Sequence, residues 1–286
     1  MATSASLGST HTVELPTGRL DYHERGAGPP VVFVHGLLVN ADLWRDVVPA
    51  VADAGYRCLA PDWPLGSHRS PLPPSADLSP TGVAAMIAEF LDALDLTDVT
   101  IVANDTGGAL TQVLMADHPD RVGRVVLTPC DALDCFFPPM FAPLQKAVAI
   151  PGMTRLISAL LQVPVLRRSN AVFGVTAKRG IPDAILASYT APCGDNSGVR
   201  RDLRRFIRGV HKRYTLAAAR RLPDFQRPVL LVAAADEKIF PARLAERLAE
   251  LLPDARRVTV ADSYTFVPED QPAELARLVV DFLRAA

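Results

Sequence analysis

The sequence has few of the features that mark secreted, membrane-spanning or metal-binding proteins. Only four of its 286 residues are cysteines, and their spacing is not that of metal ligands: Cys58, Cys130, Cys135 and Cys193. No apolar run is long enough to cross a bilayer without a proline or a charge, and residues 1–11 have no basic stretch followed by an apolar one. We therefore expect a reduced, cytoplasmic protein with no signal peptide and no metal.

Neither sign of charge is in excess. The 30 lysines and arginines balance 31 acidic residues, which leaves a net charge of -1 and a pI near 6.6. This balance gives no reason to expect nucleic acid or an anionic membrane as a partner. The sequence also has no phosphate-binding glycine loop and no dinucleotide fingerprint, so we expect no cofactor. A small-molecule substrate is the expected partner, and the oligomeric state is left open.

The apolar pattern alternates between short strands and longer helices in two sections of the chain. In residues 31–128, and again from residue 228, apolar runs are followed by helical patterns, one of which predicts a helix over residues 41–54. This alternation predicts an α/β fold with a mostly parallel, doubly wound sheet. Residues 134–213 show helical patterns and prolines without a convincing strand. We interpret them as a helical cap inserted into a core of residues 1–133 and 214–286.

The end of the predicted cap is strongly basic. Residues 199–213 carry seven basic side chains: Arg200, Arg201, Arg204, Arg205, Arg208, Lys212 and Arg213. We interpret them as a solvated outer face, and a surface for an anionic substrate or partner is the alternative.

Residues 102–108, with the sequence VANDTGG, lie between an apolar strand and a helical pattern. A strand, a tight turn of small residues and a helix start form the turn called a nucleophile elbow, whose central residue has a strained backbone. Asp105 occupies the centre, and Ala103, Gly107 and Gly108 are the small flanking residues. We expect its carboxylate to point into a pocket at the positive end of the following helix.

The order of motifs resembles the α/β-hydrolase superfamily over nearly the whole chain. The matching pieces are the pair His35-Gly36, the loop 62–70, the elbow, the cap, the acids at strand ends and the tail 266–272. With aspartate at the elbow, the chain is similar to haloalkane dehalogenases and soluble epoxide hydrolases. The resemblance implies an α/β-hydrolase fold with a helical cap, in which the elbow aspartate attacks a carbon to form an ester.

The resemblance also implies roles for other residues. The backbone N–H groups of Leu37 and Thr106 would form the oxyanion hole. The acid of the catalytic triad would be Glu237, four residues before Pro241, with Asp236 as the alternative. Supporting roles fall to His35, Asn104, Asp131 and Thr265, and His35 would hold the oxyanion loop.

The sequence departs from this family at the catalytic histidine. Relatives have a Gly-His pair before the tail, whereas this chain has Tyr264 and Thr265, and its last histidine is His211. Threonine does not accept a proton near neutral pH, and general-base assistance is worth roughly 10²- to 10⁴-fold. Hydrolysis of an Asp105 ester should therefore be slow. The candidates for a replacement base are Asp131, Asp134, Glu237, Asp236 and His68.

Two further positions bear on the reaction. Haloalkane dehalogenases have a tryptophan where this chain has Thr106, which argues against dehalogenation. Epoxide hydrolases use cap tyrosines as proton donors, and Tyr189 and Tyr214 fall in or beside the predicted cap, where packing is an equally open role. The apolar residues 138–141 suggest a pocket wall.

We therefore predict a hydrolase acting on a small, fairly apolar substrate of the epoxide or ester type, with Asp105 as nucleophile or base. One alternative is non-hydrolytic acid–base chemistry, such as dehydration, cyclisation or isomerisation. A carboxyl cluster of Asp105, Asp131 and Glu237 would favour it, since close carboxylates cannot all ionise. The other alternative is an inactive fold-mate that binds a ligand.

Overall fold

A computed structural model describes residues 4–285. Eight strands form one sheet: β1 (Ser9–Leu15), β2 (Gly18–Arg25), β3 (Pro30–Val34), β4 (Arg57–Pro61), β5 (Val99–Asp105), β6 (Val122–Cys130), β7 (Val229–Ala234) and β8 (Ala255–Val260). Their order is β1-β2-β4-β3-β5-β6-β7-β8, and β2 pairs antiparallel with both β1 and β4 while the other pairs are parallel. The predicted mostly parallel α/β-hydrolase sheet is confirmed.

Twelve helices connect and cover these strands. They are α1 (Val48–Asp53), α2 (Pro80–Ala93), α3 (Thr106–Asp117), α4 (Ala142–Ala147), α5 (Met153–Leu160), α6 (Pro164–Arg167), α7 (Asp183–Asp195), α8 (Ser197–Gly209), α9 (Arg213–Ala219), α10 (Arg243–Leu251), α11 (Val267–Asp270) and α12 (Pro272–Arg284). Helices α4 to α9 all lie between β6 and β7. None of the helices in residues 4–285 has the length and apolarity needed to cross a membrane.

The central strands are apolar on both faces because helices cover both sides of the sheet. Strand β5 is buried throughout except at its last residue, Asp105, and it runs between β3 and β6. Strands β3, β5 and β6 are parallel, so their carboxyl ends meet at one edge of the sheet. This edge is where ligands bind in open α/β sheets.

The helix predicted over residues 41–54 is wrong in its extent. A 3₁₀ turn forms over Ala41–Trp44, and the α-helix begins only at Val48. The cause is Pro49, which has no N–H to donate and whose ring would clash with the carbonyl of Arg45 in a continuous helix.

The predicted solvated basic face is also wrong for four of its arginines. Arg200, Arg201, Arg204 and Arg205 are half-buried because their guanidinium groups donate to backbone carbonyl oxygens. Arg204 reaches Val148 O at 2.8 Å, while Arg205 and Arg201 bond the loop that precedes α2. These bonds attach α8 to the segments packed against it, so the four arginines contribute to the packing of α8.

The close approach of α3 to β6 makes Gly108 intolerant of a side chain. A Cβ at this position would lie 2.3 Å from the Cβ of Cys130. We expect Gly108→Ala to lower the free energy of unfolding by about 1–3 kcal/mol, the usual cost of overpacking, as measured by urea denaturation. Gly209→Ala, whose Cβ would have its nearest neighbour at 3.5 Å, is the matched control and should be neutral or stabilising. Equal stability of the two variants would contradict this account of the packing.

Candidate active site

Asp105 lies at the turn between β5 and α3 in a strained conformation. Its φ is 55° and its ψ is -132°, a region that residues other than glycine rarely adopt. The small flanking residues are needed because the turn is tightly enclosed. A Cβ on Gly107, for example, would lie 2.3 Å from Val34 O. The strained central residue that the sequence predicted is therefore present, at the carboxyl edge of the sheet.

Backbone N–H groups from two elements hold the carboxylate of Asp105. The N–H of Leu37, in the loop after β3, donates to Oδ2 at 3.2 Å, and the N–H of Thr106 also bonds the carboxylate. The loop comes this close because residue 36 is glycine, whose Cβ would otherwise lie 2.1 Å from the same Oδ2. Leu37 and Thr106, the predicted oxyanion-hole donors, thus meet at Asp105.

The charge of Asp105 is only partly compensated. Burial raises its pKa to about 6, the N–H groups of Thr106 and Leu37 oppose this rise, and the negative charge of Glu237 adds to it. The carboxylate is therefore ionised at neutral pH but poorly solvated, which is the state in which a carboxylate is an effective nucleophile or base.

Above Asp105 lies a cavity of about 420 Å³. Its walls are apolar and come mainly from the segment between β6 and α7, including Phe137, Phe141, Leu144, Leu161, Phe173 and, from the tail, Phe266. The predicted wall residues Pro138, Met140 and Phe141 are among them. Within the described residues, the polar side chains that line the cavity are those of Asp105, Thr106 and Thr176. Such a cavity suits a small, apolar ligand with one polar or electrophilic group.

Thr265 occupies a buried position beside the acid Glu237. Its hydroxyl donates to Glu237 Oε1 at 2.6 Å, and the same oxygen accepts the N–H groups of Lys238, Ile239 and Phe240 at 2.7–3.2 Å. The other oxygen, Oε2, is buried and has no partner among residues 4–285. In the family to which the sequence is similar, the acid orients a histidine. Here it orients a hydroxyl that is no base.

The structure separates the two candidate acids. Asp236 is half-exposed and forms a salt bridge with Lys178 at 2.7 Å on the protein surface. Its carboxylate lies away from the cavity, because the chain turns at this point so that adjacent residues face opposite sides. This placement argues against the catalytic role predicted for Asp236 and leaves Glu237 as the acid next to Thr265.

Asp131, just after β6, is fully buried behind Thr106. The Thr106 hydroxyl donates to Asp131 Oδ2 at 3.2 Å, while Oδ1 has no partner in the described part of the chain. Burial, reinforced by the charge of Asp105, raises the pKa of Asp131 well above its usual value. Asp131 therefore holds a proton more readily than an ordinary aspartate, and Thr106 lies between it and the cavity. Asp134 is exposed and bonds Arg247 at 2.6 Å, too far out to be a replacement base.

His35 and Asn104 support the loops around the elbow. His35 Nε2 accepts the N–H of Trp63 at 2.9 Å, so the proton lies on Nδ1, which donates to Gly36 O at 2.9 Å. Burial lowers the pKa of His35 to about 4, so the ring is neutral. Asn104 Nδ2 donates to Thr128 Oγ1 at 2.7 Å and to Thr265 O at 2.8 Å, which ties β5 to β6 and to the tail.

The remaining candidates, one histidine and two tyrosines, do not line the cavity. His68 is buried against Asp202 of α8, 3.5 Å away, and does not line the cavity. Of the two roles left open for the tyrosines, the structure favours packing over proton donation. The Tyr189 hydroxyl donates to Glu269 at 2.8 Å, and the Tyr214 hydroxyl accepts from Arg213 at 2.7 Å. Neither borders the cavity. The cavity residues Phe173 and Thr176 were missed, since they belong to no recognisable sequence pattern.

Comparisons with known proteins agree with this fold. Residues 29–148 match the sequence profile of the α/β hydrolase fold family. Haloalkane dehalogenase 2 of Mycobacterium tuberculosis is 28% identical over 278 residues, which cover 92% of this chain and 91% of that protein. Two solved structures share the fold. Haloalkane dehalogenase DbeA from Bradyrhizobium elkani has a TM-score of 0.79, 21% identity and coverage of 97% and 98%. The epoxide hydrolase CorEH has a TM-score of 0.77, 19% identity and coverage of 97% and 99%.

The buried charge of Asp105 should lower the stability of the protein at neutral pH. Because its folded-state pKa of about 6 exceeds the ordinary value of 3.8, the folded protein binds the extra proton between these pH values. The free energy of unfolding therefore falls as pH rises through this window. We expect Asp105→Asn to raise it by about 2–3 kcal/mol at pH 8 and by little at pH 4, as measured by denaturant unfolding. Destabilisation at pH 8 would contradict the burial of an ionised carboxylate.

Proposed function

The chain belongs to the α/β-hydrolase superfamily, and from this premise we propose that it is a hydrolase whose nucleophile is Asp105. The substrate is small and fairly apolar, of the epoxide or ester type. One observation carries the proposal: a buried carboxylate, held by backbone N–H groups at a strained elbow, forms the floor of an otherwise apolar cavity. Residues 134–213 act as the cap that closes this cavity over the substrate.

The surroundings of Asp105 favour nucleophilic attack over proton abstraction. When one carboxylate oxygen attacks a carbon, the other becomes the carbonyl oxygen of an ester, and the N–H groups of Leu37 and Thr106 are placed to stabilise it. When water later attacks this ester, the same groups stabilise the tetrahedral oxyanion. A general base would gain nothing from two donors that lower its basicity.

The leaving oxygen needs a proton, and Thr106 is the hydroxyl next to Asp105 in the cavity wall. Burial raises the pKa of its partner Asp131, which favours the protonated form of that carboxyl. We propose that Thr106 turns its O–H from Asp131 to the leaving oxygen, gives up this proton and takes the proton of the Asp131 carboxyl in its place; Asp131 is left ionised and is reprotonated by water that enters when the product leaves. Dehalogenation is disfavoured because the two tryptophans, Trp44 and Trp63, are buried outside the cavity.

The replacement of histidine by Thr265 makes the second half of the reaction depend on the substrate. Attack on an epoxide yields an alkyl ester of Asp105, which water hydrolyses slowly without a base. Attack on an activated carboxylic ester yields a mixed anhydride, which reacts with water unaided. Among the two substrate types, esters are therefore the ones this site turns over, whereas epoxides leave a long-lived adduct.

A second candidate is the non-hydrolytic acid–base enzyme. The observation in its favour is that two carboxyls, Asp105 and Asp131, flank the Thr106 hydroxyl and that burial raises the pKa of both, since such a pair can supply a base and an acid at the same pH. Such a site abstracts one proton and delivers another without forming an ester. An inert ligand-binding protein has no use for a buried charge, and this argues against the inactive fold-mate.

Intact-mass spectrometry after incubation with styrene oxide tests the nucleophile. We expect the mass to increase by that of one epoxide, because the alkyl ester persists. The rate should rise about tenfold per pH unit below pH 6 and level off above it, since only ionised Asp105 attacks.

Asp105→Asn is the matched control and should gain no mass. An adduct on this variant would place the nucleophile elsewhere. Clean conversion of the epoxide by the unaltered protein, with no adduct, would favour the acid–base enzyme. If neither an adduct nor turnover occurs with epoxides and p-nitrophenyl esters, the proposal fails.

Restoring a histidine tests the account of the stalled ester. In Thr265→His the imidazole would lie between Asp105 and Glu237, so we expect hydrolysis of the alkyl ester to accelerate by roughly 10²- to 10⁴-fold. Loss of the adduct mass with time measures this rate. Thr265→Phe, which adds a ring of similar volume and no base, is the control for packing. Equal rates in the two variants would contradict the assignment of position 265.

A further inference from the structure

The large apolar side chains that are exposed cluster in one short segment of the described chain. All seven lie between residues 140 and 166: Met140, Ile150, Leu156, Leu160, Val163, Val165 and Leu166. Val165 is 78% exposed. Soluble monomers rarely gather such side chains in one place, and a cluster of this kind marks an interaction surface. We call these seven residues the apolar cap face.

Helix α5, in the middle of this face, turns Ile157 toward the cavity but also exposes leucines and buries hydroxyl-bearing residues. Leu156 and Leu160 are 51% and 45% exposed, whereas the polar residues Thr154 and Ser158 are buried. In water the outer side of an amphipathic helix carries charged and polar side chains. Helices surrounded by lipid instead place small and hydroxyl-bearing residues at helix contacts and present leucine outward. The pattern of α5 therefore fits an outer environment that is apolar.

The segment that carries this face has charge of one sign. Residues 135–182 contain six lysines and arginines and no aspartate or glutamate, but four of these cations are paired with acids outside the segment: Arg167 and Arg168 with Asp183, and Lys178 and Arg179 with Asp236 or Asp262. Lys146 and Arg155 are exposed and have no ion-pair partner within residues 4–285. The balanced charge of the whole chain, on which the expectation of no membrane partner rested, conceals this local excess.

We propose that the apolar cap face docks on the surface of an anionic phospholipid membrane. Exposed leucine and valine side chains would enter the headgroup region, and the side chains of Lys146 and Arg155 would lie among lipid phosphates, as in other interfacial helices. Helix α5 has eight residues, about 12 Å of length, so it lies on the surface and does not span the bilayer.

Charge argues for a membrane over a second copy of this chain. In a symmetric dimer the same face meets itself, so Lys146 and Arg155 of both copies would be brought together and repel each other. An anionic lipid surface neutralises them. The inner side chains Ile157 and Leu161 line the cavity, so docking places the cavity wall against the bilayer.

Co-sedimentation of the purified protein with vesicles tests this proposal. We expect binding to vesicles of phosphatidylglycerol and phosphatidylcholine, weaker binding at high salt, and little binding to phosphatidylcholine alone. Lys146→Gln and Arg155→Gln should each weaken binding about fivefold. The double variant Leu156→Ser/Leu160→Ser should weaken it about tenfold or more.

The matched controls are Arg227→Gln and Arg256→Gln, which remove the same charge from exposed positions outside the face and should change binding little. Thermal unfolding checks that every variant is folded. The proposal is overturned if both vesicle types bind equally, if the control variants lose as much binding as the cap variants, or if no vesicle binds. A concentration-dependent dimer that Leu156→Ser/Leu160→Ser abolishes, without vesicle binding, would identify a second copy as the occupant. None of these outcomes depends on the chemistry of Asp105.

Discussion

The bond between the Asp105 carboxylate and the backbone N–H groups of Leu37 and Thr106 is the interaction on which the site depends. It requires two separate segments to converge: the loop after β3, which carries Leu37, and the turn from β5 to α3, which carries Asp105 and Thr106. Glycines at positions 36, 107 and 108 allow this convergence, because each faces an atom that a side chain would strike. This convergence is energetically unfavourable in two ways: it strains the backbone of Asp105, and it removes the carboxylate from water, which raises its pKa. Both make sense in a protein that uses this carboxylate.

The residues around Asp105 keep the arrangement expected of an α/β-hydrolase site, except that Thr265 stands where the relatives have the catalytic histidine. Glu237 is held by three backbone N–H groups and by the Thr265 hydroxyl, so its position is well determined even though it has no imidazole to orient. Asp131 and Thr106 form a second polar contact on the other side of Asp105. The first half of the proposed nucleophilic reaction therefore has each group that the proposal assigns to it. The second half depends on how readily water attacks the intermediate.

The segment predicted to be a cap combines two properties in a few short helices. Its inner side chains, such as Ile157 and Leu161, make the cavity apolar, and its outer side chains, such as Leu156 and Leu160, leave an apolar face exposed. Because α5 carries apolar side chains on both its cavity side and its outer side, contact with water stabilises neither side. Buried Thr154 and Ser158 supply the small contacts through which α5 packs on the rest of the cap.

The sequence by itself determined the alternation of strands and helices, the elbow at Asp105 and the lack of a histidine after position 211, because each of these depends on neighbouring residues or on composition. The tertiary structure alone decided the rest. Asp236 and Glu237 are adjacent in sequence, and only the path of the loop directs one to the surface and the other to Thr265. Tyr189 is in the predicted cap, yet its hydroxyl meets Glu269, eighty residues away. Which way a side chain points, and what it meets there, is set by contacts between segments that the local pattern does not contain.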